Sequence, residues 1–145
     1  MDAEPVEATA PTRRAETKEA VPPSRGLVID DELVVREFVD ETFTSEGHRI
    51  DAVANGKEAF EALKRSTYDF IICDLKMPEV NGQTFYDVVK SFDERLSRRI
   101  IFITGDTANM GTHKFFAETG NYYIYKPFQL DDLISLVNRV ITERS

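Results

Sequence analysis

Five short runs rich in β-branched and aromatic residues recur along this chain, and the stretches between them carry their apolar residues three and four positions apart. The first run, "GLVID", predicts a strand. The segment after it sets Val35, Phe38, Val39 and Phe43 on one face of a helix that stops near Gly47. "HRIDAV" predicts a second strand, and Asn55 caps a helix through Phe60 and Leu63. "YDFIICD" is continuously apolar, as a strand buried on both faces of a parallel sheet must be, and belongs at the centre. Beyond Gly82, Phe85, Val88, Val89 and Phe92 fall at helical spacing; "RRIIFIT" is the fourth strand, and "ANMGTHKFFAETG" a weaker helix. "YYIY" is the fifth strand, followed by a helix carrying Leu130, Leu133, Ile134, Val137 and Ile141, with Asp131 and Asp132 in its first turn. Strands alternating with helices predict an α/β fold, a parallel sheet covered on both faces, built from five βα units.

Residues 1–24 break this pattern. They contain no aromatic residue and four of the six prolines, so they bury too little to offset their ordering entropy and are expected to form a disordered linker or tail; residues 25–145 form the one domain. A net charge of −8 repels phosphate backbones, which disfavours direct nucleic-acid binding. No apolar run approaches the ~20 residues needed to cross a bilayer, and no signal peptide is evident, so this segment is expected to be cytoplasmic and without membrane contact. The single cysteine, Cys73, can form no internal disulfide and is expected to be a small buried hydrophobe. His48 and His113 belong to no metal-ligand spacing and are expected at the surface.

In an open parallel sheet the chemistry collects outside the carboxyl ends of the strands. Those ends are Asp30 and Asp31, Asp74, Thr104 and Lys126. If the first and third strands are neighbours, three carboxylates share one pocket. Two carboxylates ~4 Å apart repel by about 4 kcal/mol at an effective dielectric near 20, so the cluster calls for a proton, a lysine or a cation. Oxygen ligands on an open edge suit Mg²⁺. Thr104 adds a hydroxyl for a phosphoryl oxygen, and Gly105 leaves the adjoining backbone accessible. Taken singly, each residue has a duller role: Asp-Asp-Glu as helix-dipole decoration, Thr104 as a strand residue, Lys126 as a solvated strand end.

In order, "LVIDDE", "IICDLKMPEVNG", "IFITGD" and "YIYKPF" resemble the receiver domains of two-component response regulators, over nearly all of residues 25–143. The resemblance implies a flavodoxin-like (βα)5 doubly wound sandwich with strand order 2-1-3-4-5. It implies that Asp74 is the phosphoacceptor, that Asp30, Asp31, Asp74 and the backbone carbonyl of Lys76 hold Mg²⁺, and that Thr104 and Lys126 bind the phosphoryl group. It further implies a cis Lys126–Pro127 peptide aiming Lys126 inward, and a switch in which Thr104 moves and Tyr123 turns in. Pro78 and Gly82 would shape the loop bearing the Lys76 carbonyl. Lys76 and Asp106 occupy positions that tune hydrolysis in this family, and they are expected to pair across the pocket mouth. Asn121 departs from the small alanine usual before the fifth strand.

No nucleotide motif is present, so the phosphoryl group must come from a partner, by resemblance a histidine kinase or histidine phosphotransfer domain. A haloacid-dehalogenase-like phosphatase would want an acid where Lys76 stands. A binding-only receiver would be attractive only if a site residue were missing. The Pro/Ala/Glu-rich leader favours the C-terminal receiver of a hybrid sensor kinase over a single-domain regulator with a disordered tail. Output, and homodimerisation where it occurs, is expected through the fourth helix, fifth strand and final helix.

Overall fold

The computed structural model describes residues 21–106 and 108–143; the expected tail lies, except for its last four residues, outside the described residues. The strands are β1 Arg25–Ile29, β2 Arg49–Val53, β3 Phe70–Asp74, β4 Ile100–Thr104 and β5 Tyr123–Tyr125. The helices are α1 Leu33–Ser45, α2 Gly56–Arg65, α3 Gly82–Phe92, α4 Met110–Thr119 and α5 Leu130–Glu143, with an unnumbered turn of helix, Glu94–Ser97, after α3. All strands pair in parallel in the order β2-β1-β3-β4-β5, which puts β3 at the centre and beside β1. This is the flavodoxin-like order. Among the described residues no helix is long and apolar enough to cross a membrane.

The alternation of side chains along β3 divides the interior in two. Ile71 and Cys73 join Leu27, Phe85, Tyr86, Phe102 and Phe115 beneath α2, α3 and α4. Phe70 and Ile72 join Val39, Phe43, Ile101, Leu133 and Val137 beneath α1 and α5. Every residue of β3 and β4 is buried, and each large aliphatic side chain removed from water contributes about 1.5–3 kcal/mol. These strands therefore make a rigid mount for whatever stands at their ends.

Helix starts follow local chemistry. Asn55, Asn81 and Asn109 each accept the backbone N–H three residues on, at 2.9, 2.9 and 3.2 Å, and so cap α2, α3 and α4. The N-cap of α1 is Glu32, whose side chain makes no such bond. That omission forgoes about 0.5–2 kcal/mol of capping.

Several expected positions are corrected. In α1, Val39 and Phe43 are buried but Phe38 is exposed, because neighbouring helical residues point about 100° apart and the buried stripe is narrow. In α3, Phe85, Tyr86 and Val89 face inward, while Val88 and Phe92 are exposed for the same reason. His48 is buried rather than on the surface. It packs between Phe43 and Phe70, and its Nδ1 accepts the Ser24 N–H at 3.0 Å. Burial lowers its pKa, since a protonated ring would lose that bond and carry an unsolvated charge. Ser24, by this bond, and Val21, packed on the α1/α5 core, lie before Arg25 and contact the domain. Asn121, buried before β5, donates through Nδ2 to the carbonyls of Ser97 and Ile100, both at 2.8 Å. An alanine there would leave both carbonyls without this donor.

Candidate functional site

The C-terminal ends of β1, β3, β4 and β5 meet at one edge of the sheet. Asp30 directly follows β1, and Asp74 is the last residue of β3; both are almost wholly buried. Asp31 is exposed beside them. Carboxylate oxygens from Asp30, Asp31 and Asp74 all lie within 4.8 Å of one another, close enough for one cation to bridge.

Lys126, immediately after β5, points at this cluster, and its peptide bond to Pro127 is cis. Its Nζ donates to Asp74 Oδ2 at 3.5 Å and lies 3.3 Å from Asp30 Oδ2, off the line of a hydrogen bond. Its nearest partner is one the sequence reading did not assign: Glu32 Oε1, at 2.7 Å. The signal was present in the sequence, since Glu is a poor N-cap and "IDDE" places one where Asp, Asn, Ser or Thr serves better.

The remaining bonds orient the carboxylates. Asp74 Oδ1 accepts the Lys76 N–H at 3.2 Å, and Asp30 Oδ1 accepts the Glu32 N–H at 2.9 Å. Asp30 Oδ2 is buried and accepts no hydrogen bond, which is the condition of an oxygen facing a cation position. Burial, and then repulsion from Asp30, push Asp74 up to about 6, against the pull of Lys126 and the Lys76 N–H. Burial likewise raises Asp30. Burial alone would lower Lys126, but the Glu32 hydrogen bond and the charges of Asp74 and Asp30 hold it above the ordinary lysine value. The donor set therefore fits a hard divalent cation, which would relieve the repulsion that Lys126 offsets only in part.

Two loops frame the pocket. After β3, Gly82 donates to the Leu75 carbonyl at 2.7 Å, and a Cβ on Gly82 would sit 2.8 Å from Leu75 Cα, so only glycine lets the loop close on the strand end. Between Pro78 and Val80 the chain makes a tight turn, with Glu79 at φ 69 and the Val80 N–H on the Pro78 carbonyl at 2.8 Å. After β4, the buried Thr104 accepts the Asp106 N–H on Oγ1 at 3.1 Å. Asp106 Oδ2 meets Lys76 Nζ at 2.7 Å, joining the two loops by an ion pair, and that bond holds Asp106 below the usual aspartate range. Tyr123 stands outward, 43 % exposed, its ring stacked on Phe116 with centroids 4.1 Å apart. The site residues read from the sequence thus converge, except Tyr123, which lies on the flank formed with α4, and the Lys76 carbonyl, to which no contact is assigned.

Comparison with known proteins agrees with this geometry. The profile of the response regulator receiver domain matches residues 27–138. The response regulator SaeR of Staphylococcus aureus is 31% identical over 117 residues, covering 80% of this chain and 50% of its own length. The chain thus spans about half the length of the curated relatives it matches. Among solved structures, TrrA of Thermotoga maritima in complex with Mg²⁺ and BeF superimposes with a TM-score of 0.70 at 28% identity, covering 80% of this chain and 97% of that one. The chemotaxis protein CheY4 of Vibrio cholerae gives a TM-score of 0.72 at 25% identity, over 82% and 99%.

Proposed function

The chain belongs to the response regulator receiver family, and from that premise we propose that Asp74 is its phosphoacceptor in two-component signalling. The observation that carries the proposal is the buried Asp74 at the end of the central strand, with Asp30 and Asp31 oxygens within 4.8 Å and Lys126 at 3.5 Å. Receiver domains take their phosphoryl groups from histidine kinases. Here an Asp74 carboxylate oxygen forms the new bond to phosphorus, while the bond from phosphorus to the donor imidazole nitrogen breaks and its electron pair stays with the imidazole. Lys126 stabilises charge on the transferring oxygens, and the Thr104 hydroxyl is placed to donate to one of them once its loop moves. Asp30, Asp31 and Asp74, with the carbonyl of Lys76, would hold Mg²⁺. Bound there, the ion would neutralise phosphoryl charge and hold Asp74 ionised. That TrrA, a relative, was solved with Mg²⁺ supports this assignment.

The test is phosphoryl uptake. Incubated with Mg²⁺ and acetyl phosphate, the protein should gain the mass of one phosphoryl group, and chelation of Mg²⁺ should prevent the gain. An unchanged intact mass would sink the proposal.

Lys76 and Asp106 are the tuning pair. Their ion pair crosses the pocket mouth at 2.7 Å, where a hydrolytic water would enter. Lys76→Ala should therefore shorten the phosphoryl lifetime about two- to fivefold, the scale of an exposed pair. A lifetime equal to that of the native chain, followed by loss of the phosphorylated mass, would count against the gate.

Phosphorylation is read out by population shift at α4, β5 and α5, with Tyr123 leaving its stack on Phe116 as Thr104 closes on the phosphoryl group. The same surface is the place for a homodimer. For the parent chain we propose the receiver of a hybrid histidine kinase, a cytoplasmic segment. Kinase motifs in the coding sequence upstream of Ala3 would support this, and a native start codon there would refute it.

A further inference from the structure

Lys126 and a divalent cation seek the same oxygens. The ammonium lies 3.3 Å from Asp30 Oδ2 and 3.5 Å from Asp74 Oδ2, and it cannot settle closer without taking the place a cation would need. Two positive charges there also repel. Something must hold the ammonium back, and the distances say what does: Glu32 Oε1, outside the buried pair, is nearer at 2.7 Å.

Glu32 is built for that reach. At the N-cap of α1 its side chain leaves the helix uncapped, in contrast to Asn55, Asn81 and Asn109, and goes to Lys126 instead. Its backbone is fixed on both sides. The Glu32 N–H binds Asp30 Oδ1 at 2.9 Å, the Glu32 carbonyl accepts the Arg36 N–H at 3.1 Å, and Arg36 Nη1 donates to the Asp30 carbonyl at 2.8 Å. The carboxylate therefore swings from a rigid post attached to the very residue whose other oxygen faces the cation position.

We propose that Glu32 is a positioning residue that draws the Lys126 ammonium aside, leaving Asp30 and Asp74 open to a divalent cation. The inference rests on the metal reading above. It acts through Lys126, and so differs from simple attraction of the cation by one more negative charge. When a phosphoryl group arrives on Asp74, the ammonium exchanges Glu32 for a phosphoryl oxygen.

The test is Mg²⁺ binding by calorimetry in a double-mutant cycle. Glu32→Gln should weaken Mg²⁺ about three- to fivefold in the native background, and less than about twofold in the Lys126→Met background. Glu32→Asp keeps the charge but is one methylene too short, and it should weaken Mg²⁺ as Glu32→Gln does. Equal weakening in both backgrounds, or native affinity in Glu32→Asp, would overturn the Glu32 assignment while leaving the metal site intact. Absence of Mg²⁺ binding in the native chain would overturn the assignment together with the metal reading, and phosphoryl uptake then reports separately on Asp74.

Discussion

Asp74→Asn is expected to gain no phosphoryl mass from acetyl phosphate, and yet to resist denaturant better than the native chain when no divalent cation is present. The first half follows from chemistry, since a carboxamide offers no anionic oxygen to attack phosphorus while leaving the shape of the site unchanged. The second half follows from electrostatics. Folding raises the Asp74 pKa from an ordinary 3.8 to about 6, because burial and Asp30 both oppose its charge. A group whose folded pKa is raised favours the fold at low pH, and that contribution is lost as pH rises through the folded value. At neutral pH the ionised Asp74 therefore costs the cation-free fold up to about 3 kcal/mol, and the neutral amide escapes that cost. Urea unfolding at about pH 7.5 in chelator, roughly 1.5 units above the folded value of about 6 and so on the plateau of that titration, should show a gain of about 1–3 kcal/mol. Mg²⁺ should narrow the difference by stabilising the native chain more. Equal stability in chelator would mean that the carboxylate cluster carries no strain, and phosphoryl uptake by Asp74→Asn would move the acceptor elsewhere.

Lys126→Met should do the opposite. It leaves Asp30, Asp74 and Glu32 without the ammonium that lies within 3.5 Å of all three. Breaking a buried ion pair costs about 3–5 kcal/mol, but Lys126 is 23% exposed and Asp74 can take up a proton, so a loss of about 1–3 kcal/mol is expected at neutral pH without Mg²⁺. The pH dependence identifies the cause. With the ammonium gone, the folded pKa of Asp74 rises further, so the variant should regain stability as pH falls from 8 to about 5.5, when a proton replaces the lysine. A deficit that is flat across this range would point to lost packing of the lysine stem instead. Phosphoryl uptake should fall at least about tenfold, the scale of one electrostatic contact to a transferring group.

The legible part of this molecule was the part written in strand ends. A continuous apolar run that terminates in Asp74 predicts a central strand, and with Asp30 and Asp31 ending its neighbour three carboxylates meet at one sheet edge. Helix faces were less legible. Phe38 and Val39 are adjacent and equally apolar, yet only the second faces the sheet. His48 was hidden because its partner, the Ser24 N–H, lies in a segment whose composition resembles the tail before it. Glu32 was only half legible: its place at a helix start marks it as a poor N-cap, but its partner is 94 residues away and no local pattern names Lys126. Asn121 could be marked only as unusual until its bonds to the Ser97 and Ile100 carbonyls gave it a place.

Cys73 is the only cysteine in the chain; it is fully buried, and burial followed by the charges of Asp74 and Asp30 pushes its thiol well above the ordinary value. The neighbour of Asp74, the proposed phosphoacceptor, is therefore silent toward thiol-directed reagents while the fold is intact. One cysteine introduced on the surface becomes a unique attachment point, with no need to remove the native one. A dye or spin label near Tyr123, on the α4 flank, would then follow the proposed switch in real time without labelling of Cys73.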